Sequence, residues 1–201
     1  RPVPLPHQDG PLPFAPSDDA LMRAVASARL GFVDVVPGLP AENNKVNPAE
    51  AEVIAALVET LYRLYARSGL PLDPAAQVGV IVPFRGQITA VRRSLAARHL
   101  PGCEHITVDT VECFQGSQRD HILFGTTVRY PYQLQLLSST ETIDGATVDR
   151  KLNVALTRAR LQLIVVGHGA LLSASPVYRA LLAETTPIDY SFIHHFNPST
   201  P

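Results

Sequence analysis

From residue 30 onward, short and almost wholly apolar runs alternate with longer stretches in which apolar residues recur every three or four positions. The runs Leu30 to Val36, Val78 to Val82, Ile106 to Thr110, Ile122 to Val128 and Leu161 to Val166 read as strands. Their near-continuous apolarity is what a strand covered on both faces requires. Between them, Ile54, Leu57, Val58, Leu61 and Tyr65 keep helical spacing until Gly69 ends the run. Asn47 stands where a helix cap belongs, Pro48 at the first helical position and Glu50 at the third, so a capping box explains Asn47 and Glu50 without a ligand. A second helix is expected after Pro83, with Ile88, Val91 and Leu95 on its inner face. This alternation predicts an α/β domain in three layers, a mostly parallel sheet flanked by helices.

The ends read differently. Prolines at 2, 4, 6, 11, 13 and 16 remove backbone donors and favour an extended arm, so residues 1–29 are expected to be a linker and lead-in, 30–183 the domain, and 184–201 a tail without a motif. Residues 129–147 read as one long loop, functional or mobile. The missing initiator methionine suggests an excerpt from a longer protein. At 46% hydrophobic and 17% charged, the composition excludes a disordered chain. No apolar run reaches the roughly 20 residues a bilayer demands, and the N-terminus lacks the pattern of a signal peptide, so an intracellular, cytoplasmic location is expected. Cys103 and Cys113 are expected to be reduced, buried thiols, and His99, Cys103 and His105 match no common metal-site spacing, so no metal site is assigned. The net charge of −1 hides a local excess: ten of the 17 basic residues lie between 80 and 160, and nearly all are arginine, which suits forked recognition of phosphate.

The familiar glycine-based phosphate-binding and nucleophile-elbow signatures are missing from these 201 residues. There is no GxGxxG and no GxSxG, and neither Lys45 nor Lys151 follows a glycine as a P-loop lysine must. Three other segments stand out: VGVIVPFRGQ at 78–87, TVDTVECFQGSQRD at 107–120 and DRKLNVALTRARLQLIVVGH at 149–168. Each is expected where a strand ends or a helix begins, the edge at which open parallel sheets bind ligands. Together with NKVNPAEAE at 44–52, they resemble motifs IV, V and VI of superfamily 1 helicases, of the group that includes the nonsense-mediated-decay helicase and its DNA-acting relatives.

That resemblance implies the second RecA-like domain of a two-domain motor, with the P-loop and the magnesium-binding acidic motif on a partner N-terminal RecA-like domain. It implies ATP with Mg2+ as the fuel, single-stranded DNA or RNA as the track, and movement 5′ to 3′. Arg158 matches the family's arginine finger. On a helical wheel it borders a buried stripe of Leu152, Ala155, Leu156 and Ala159, while Arg150, Asn153, Thr157 and Arg160 form a polar face that supports the motif. Thr110 matches the threonine that touches a nucleic-acid phosphate. Gln115 and Gly116 match the turn beside the nucleotide, and Gln118 stands where a glutamate is frequent, keeping an acceptor but losing the charge. Glu112 likewise replaces the commoner Asp or His. In motif IV, Arg85 is assigned to the nucleotide and Gln87 to nucleic acid, with a solvated helix start as the alternative. The rival to a motor is a noncatalytic docking module built on the same fold, and a third reading is a Rossmann-like small-molecule enzyme.

Overall fold

Burial on both sides governs how these strands assemble. In a computed structural model, residues 12–36, 45–114, 116–143 and 146–190 are described. The prolines before position 12, Asn44, Gln115 and the His194-His195 pair lie outside the described residues. Strands β1 (Leu30–Asp34), β2 (Val78–Ile81), β3 (Thr107–Asp109), β4 (Arg119–Gly125), β5 (Thr140–Ile143), β6 (Ala146–Asp149), β7 (Ala159–Gly167) and β8 (Thr186–Pro187) alternate with helices α1 (Ala20–Ser27), α2 (Pro48–Arg67), α3 (Pro74–Gln77), α4 (Arg85–Ala96), α5 (Leu134–Leu137), α6 (Arg150–Arg158), α7 (Gly169–Leu172) and α8 (Pro176–Ala183). Six strands form one sheet in the order β3-β2-β4-β7-β1-β8, and every pairing in it is parallel. This is the α/β architecture that the alternation predicts and the RecA-like fold that the resemblance implies.

Successive side chains of each strand serve opposite cores, the two-residue period of a pleated strand. Val78, Val80, Leu123, Ile164, Val166 and Val33 point into one core under α1, α2 and α4. Ile81, Ile122, Phe124, Leu163 and Val165 point into the other, covered by α6, α8 and the short 3-10 turn Val111–Phe114. Among the described residues no helix is long and apolar enough to cross a membrane.

The structure extends the pattern in three places. Asp19 caps α1 by accepting from the Met22 amide, and Leu21, Met22 and Val25 are buried, so the lead-in from residue 20 is part of the core. Thr186 and Pro187 lie along β1, where a proline is tolerated because the strand is an edge, and Ile188 is buried. The stretch 129–147 is not one irregular loop: it folds into the turn Pro131–Gln133, α5 and the antiparallel β5-β6 hairpin. Cys113 is exposed rather than buried, because its 3-10 turn offers only Val111 and Phe114 to the core; Cys103 is buried, and both thiols are free.

Two buried polar networks fasten helices to opposite ends of the sheet. At the carboxyl ends of the strands, Asn47 caps α2 but the expected reciprocal box is diverted. The Asn47 amide donates to Gln87 Oε1 at 2.7 Å, and Gln87 Nε2 returns a bond to the Asn47 carbonyl at 2.9 Å. Glu50 accepts instead from Asn47 Nδ2 at 3.0 Å and from the Thr127 amide at 2.7 Å, just beyond β4. Thr127 holds a left-handed φ of 58°, a costly conformation for a β-branched residue that this bond secures. Burial pushes the Glu50 carboxyl up to about 8, against the hydrogen bonds from Thr127 and Asn47 that pull it down.

At the amino ends, Tyr65 and Gln162 grip His121. The Gln162 amide nitrogen donates to the carbonyls of Val25 and Ala28, both at 2.6 Å, so its oxygen must accept from His121 Nδ1 at 2.9 Å. That leaves Nε2 to accept from the Tyr65 hydroxyl at 2.9 Å. Burial holds the imidazole below its ordinary range.

This packing generates two predictions. A Cβ on Gly79 would come within 2.8 Å of Phe114 and 3.0 Å of Ile122, so Gly79→Ala is expected to cost about 1–3 kcal/mol of unfolding free energy, measured by urea titration. Unfolding frees Glu50 to ionise near 4.5, so the unfolded chain has shed a proton the folded chain retains up to about pH 8. Stability must therefore fall as pH rises from about 5 through 8. The denaturation midpoint of the wild type is expected to drop between pH 6 and pH 9 more steeply than that of Glu50→Gln, whatever the variant's baseline.

Candidate nucleotide and nucleic-acid edges

Because both faces of the sheet are dry, the motif residues can reach solvent only at its two ends, and the chain divides them between these ends. The segment after β3 leaves at the carboxyl edge with Thr110, passes over the β2 face through the 3-10 turn, and arrives at the amino edge with Gly116 and Gln118, just before β4. Helix α6 runs the same way. Its N-cap Asp149 accepts from the Lys151 and Leu152 amides, and its last residue, Arg158, abuts the start of β7. Leu152, Ala155, Leu156 and Ala159 are all buried, as their spacing predicts.

The amino edge gathers Arg158, Gly116, Gln118 and Arg119. Arg158 is partly buried, and its guanidinium donates only to neutral oxygens: Val154 O at 3.3 Å, Phe114 O at 3.3 Å and Thr157 Oγ1 at 3.1 Å. These are long bonds for arginine, and no carboxylate pairs with it among the described residues. Gly116 takes a φ of 80°, which favours glycine, and nothing lies within 4 Å of where a Cβ would project, so a ligand can approach the main chain there. The Gln118 amide donates to Thr157 O at 3.2 Å, tying the turn to the end of α6. A glutamate could not donate that bond, which gives the departure from the family pattern a physical sense.

Arg119, which sequence reasoning passed over although it lies within the 107–120 segment, adds a second guanidinium. It donates to Thr107 Oγ1 at 3.1 Å and to Gln118 O at 2.9 Å, while its Nε is buried without a partner.

Arg160 is corrected. It does not share the polar face of α6, because the helix ends at Arg158 and β7 begins at Ala159. The register of β7 against β4 also slips between Arg119 and His121, as at a bulge. Arg160 turns away to pair with Asp120 at 2.8 Å. On α6 itself, Arg150 pairs with Glu141 at 2.7 Å, Thr157 donates to Val154 O at 3.0 Å, and Asn153 is half-buried.

The carboxyl edge holds Thr110, Glu112, Lys151 and Arg85. The Thr110 side chain, followed by the charge of Lys151, holds the Glu112 carboxyl below its ordinary range. Lys151 Nζ stands 3.9 Å from Glu112 and donates to Leu136 O at 3.4 Å.

Two assignments change here. Gln87 is fully buried with both amide atoms engaged by Asn47, so it braces α2 against α4 and has nothing left to offer nucleic acid. Arg85, exposed at the first position of α4, follows the carboxyl end of β2, about 13 Å of strand away from the edge that carries Arg158. It belongs with Thr110 rather than with the turn at Gly116. The end of α6 with Arg158 and the latter half of motif V therefore lie at the edge opposite the one expected for all three segments, while the start of motif VI, with Lys151, stays at the carboxyl edge.

A family model described as AAA domain matches residues 22–170. Among relatives, the protein designated helicase MOV-10 of Gallus gallus is 36% identical over 141 residues, covering 68% of this chain. Helicase SEN1 of Saccharomyces cerevisiae is 31% identical over 160 residues, covering 76%, and regulator of nonsense transcripts 1 of Dictyostelium discoideum is 30% identical over 142 residues, covering 69%. The chain spans only 14%, 7% and 10% of these three proteins. A crystal structure described as the C-terminal domain of a DNA helicase from Lactobacillus plantarum aligns over 86% of this chain and 90% of its own at 16% identity and a TM-score of 0.42, too low to add weight. With its motifs in family order on a RecA-like sheet, the chain belongs to this AAA-domain family, among the superfamily 1 helicases of the nonsense-mediated-decay group.

Proposed function

We propose that this domain is the closing half of an ATP-driven motor that moves 5′ to 3′ along single-stranded DNA or RNA, its amino edge facing ATP and its carboxyl edge facing the strand. The observation that carries the reading is Arg158: a partly buried guanidinium whose three acceptors are all uncharged. A cation so placed is short of an anion, and phosphate oxygens are its strongest natural acceptors. Exchanging three long bonds to neutral oxygens for charge-assisted bonds to a γ-phosphate is favourable once a facing domain presents the nucleotide.

ATP and Mg2+ would be held by the P-loop of an N-terminal RecA-like domain; the metal supplies neutralisation of the phosphate charge. This chain's part is to bring Arg158 to the γ-phosphate, where an arginine finger contributes about 10³–10⁵-fold in rate, and to let the Gly116 main chain and Gln118 lie against the nucleotide. Arg119, on the same edge, adds positive potential. Thr110 and Arg85 take phosphates of the strand. Opening and closing of the two domains around ATP then moves that grip along the backbone.

In the protein that carries both motor domains, Arg158→Ala is expected to lower ATP turnover about 10³-fold or more while oligonucleotide affinity stays within about twofold. Unchanged turnover would remove the assignment. The 201-residue chain alone is expected to hydrolyse no ATP in a phosphate-release assay; hydrolysis by the purified chain would contradict the division of labour.

A further inference from the structure

At the carboxyl edge, beyond β4, two tyrosines stand ring on ring. Tyr130 and Tyr132 have centroids 5.9 Å apart and planes only 10° from parallel. Tyr130 is half-buried and Tyr132 is 53% exposed, so the ladder begins against the protein and ends at the solvent. The turn that presents them is rigid. Gln133, itself buried, accepts from the Arg129 amide at 2.7 Å and from the Tyr130 amide at 2.9 Å, and donates its own amide to Tyr130 O at 3.0 Å. Pro131 fixes the backbone between the rings. The next turn places Leu136 O on Lys151, whose Nζ stands 3.9 Å from Glu112, two residues beyond Thr110 in the same segment. The ring ladder, the cation and the threonine therefore form one continuous rim, with Arg85 on the same edge.

We infer that Tyr130 and Tyr132 are a nucleobase-stacking platform, on which a base of the strand continues the ladder over the outer face of Tyr132 while Thr110 and the cations take its phosphates. This rests on the proposal that the carboxyl edge faces single-stranded nucleic acid, and adds what that proposal lacks, a contact to the bases. The chemistry fits: every base has a π-face, a ring already held by a neighbouring ring loses little freedom on binding, and positive charge alongside suits the backbone that accompanies the base.

The test compares an oligothymidylate of about 15 nucleotides with an abasic strand of the same length, which keeps the phosphates and lacks the bases. Binding to the whole chain is measured at low salt by fluorescence anisotropy. The wild type is expected to prefer the base-bearing strand. Tyr132→Ala is expected to weaken that strand about five- to tenfold and leave the abasic strand unchanged, with Tyr132→Phe retaining the preference. Thr110→Ala is expected to weaken both strands alike. Tyr132→Trp gives the chain a single indole, whose emission should be quenched by oligothymidylate and not by the abasic strand.

Equal binding of the two strands by the wild type, or unquenched indole emission from Tyr132→Trp at saturation, overturns the platform and leaves the nucleic-acid edge standing. No binding of either strand overturns both. A Tyr132 ring that serves a protein partner instead would show as strand binding indifferent to Tyr132→Ala, which also overturns the platform.

Discussion

The constraint on which the rest depends is that the sheet is dry on both faces. Val80, Leu123 and Ile164 on one side and Ile122, Leu163 and Val165 on the other leave no polar surface between the layers. Polar chemistry is confined to the two ends of the strands, separated by about 13 Å at β2 and more at the longer central strands. Two elements span that distance over the same face, the segment 110–118 and α6, and they touch at the amino edge through the bonds from Arg158 to Phe114 and from Gln118 to Thr157. Arg158 and Gln118 are thus carried on the same two elements whose other ends carry Thr110 and Lys151. In the motor proposed above, these two elements are the shortest connection between the edge assigned to ATP and the edge assigned to the strand.

The buried polar residues divide by whether they are satisfied. Gln87, Glu50, His121 and Gln162 are all fully buried and engaged, and in turn they couple α4 to α2, α2 to the exit of β4, α2 to β4 itself, and α1 to β7. Such groups define one arrangement of helices on the sheet, since any other would strand an unpaired donor or acceptor at a cost of about 1–3 kcal/mol. Arg158 and Arg119 are the contrast. Both are half-buried, both lack an anion among the described residues, and both face the amino edge.

Much of this was legible beforehand for a plain reason: a strand covered on both sides must be apolar throughout, and a helix over a sheet must repeat every three to four residues. The five central strands and the helices at Pro48 and Arg85 follow from that rule. Individual side chains were less readable. Gln87 sits within the segment that resembles motif IV and looks available, but Asn47, 40 positions away in the chain, takes up both of its amide atoms. Arg160 keeps helical spacing with Thr157, but the helix stops at Arg158 and a strand takes over. Glu50 appeared to need only its own helix, whereas its shortest hydrogen bond comes from Thr127. In each case the deciding contact lies outside the residue's own element, where local periodicity carries no information.

The amino-acid order alone determined the layered α/β class, the family to which the motifs belong, and Arg158 as the residue to watch, because patterning and motif spacing are local properties. Only the tertiary structure decided which edge each motif residue occupies, that Arg85 lies at the edge opposite Arg158 while Gln87 is engaged by Asn47, and that Tyr130 and Tyr132 stack on the same edge as Thr110. Those outcomes depend on the order of strands in the sheet and on contacts between residues remote in the chain, and neither is written in any single stretch of it.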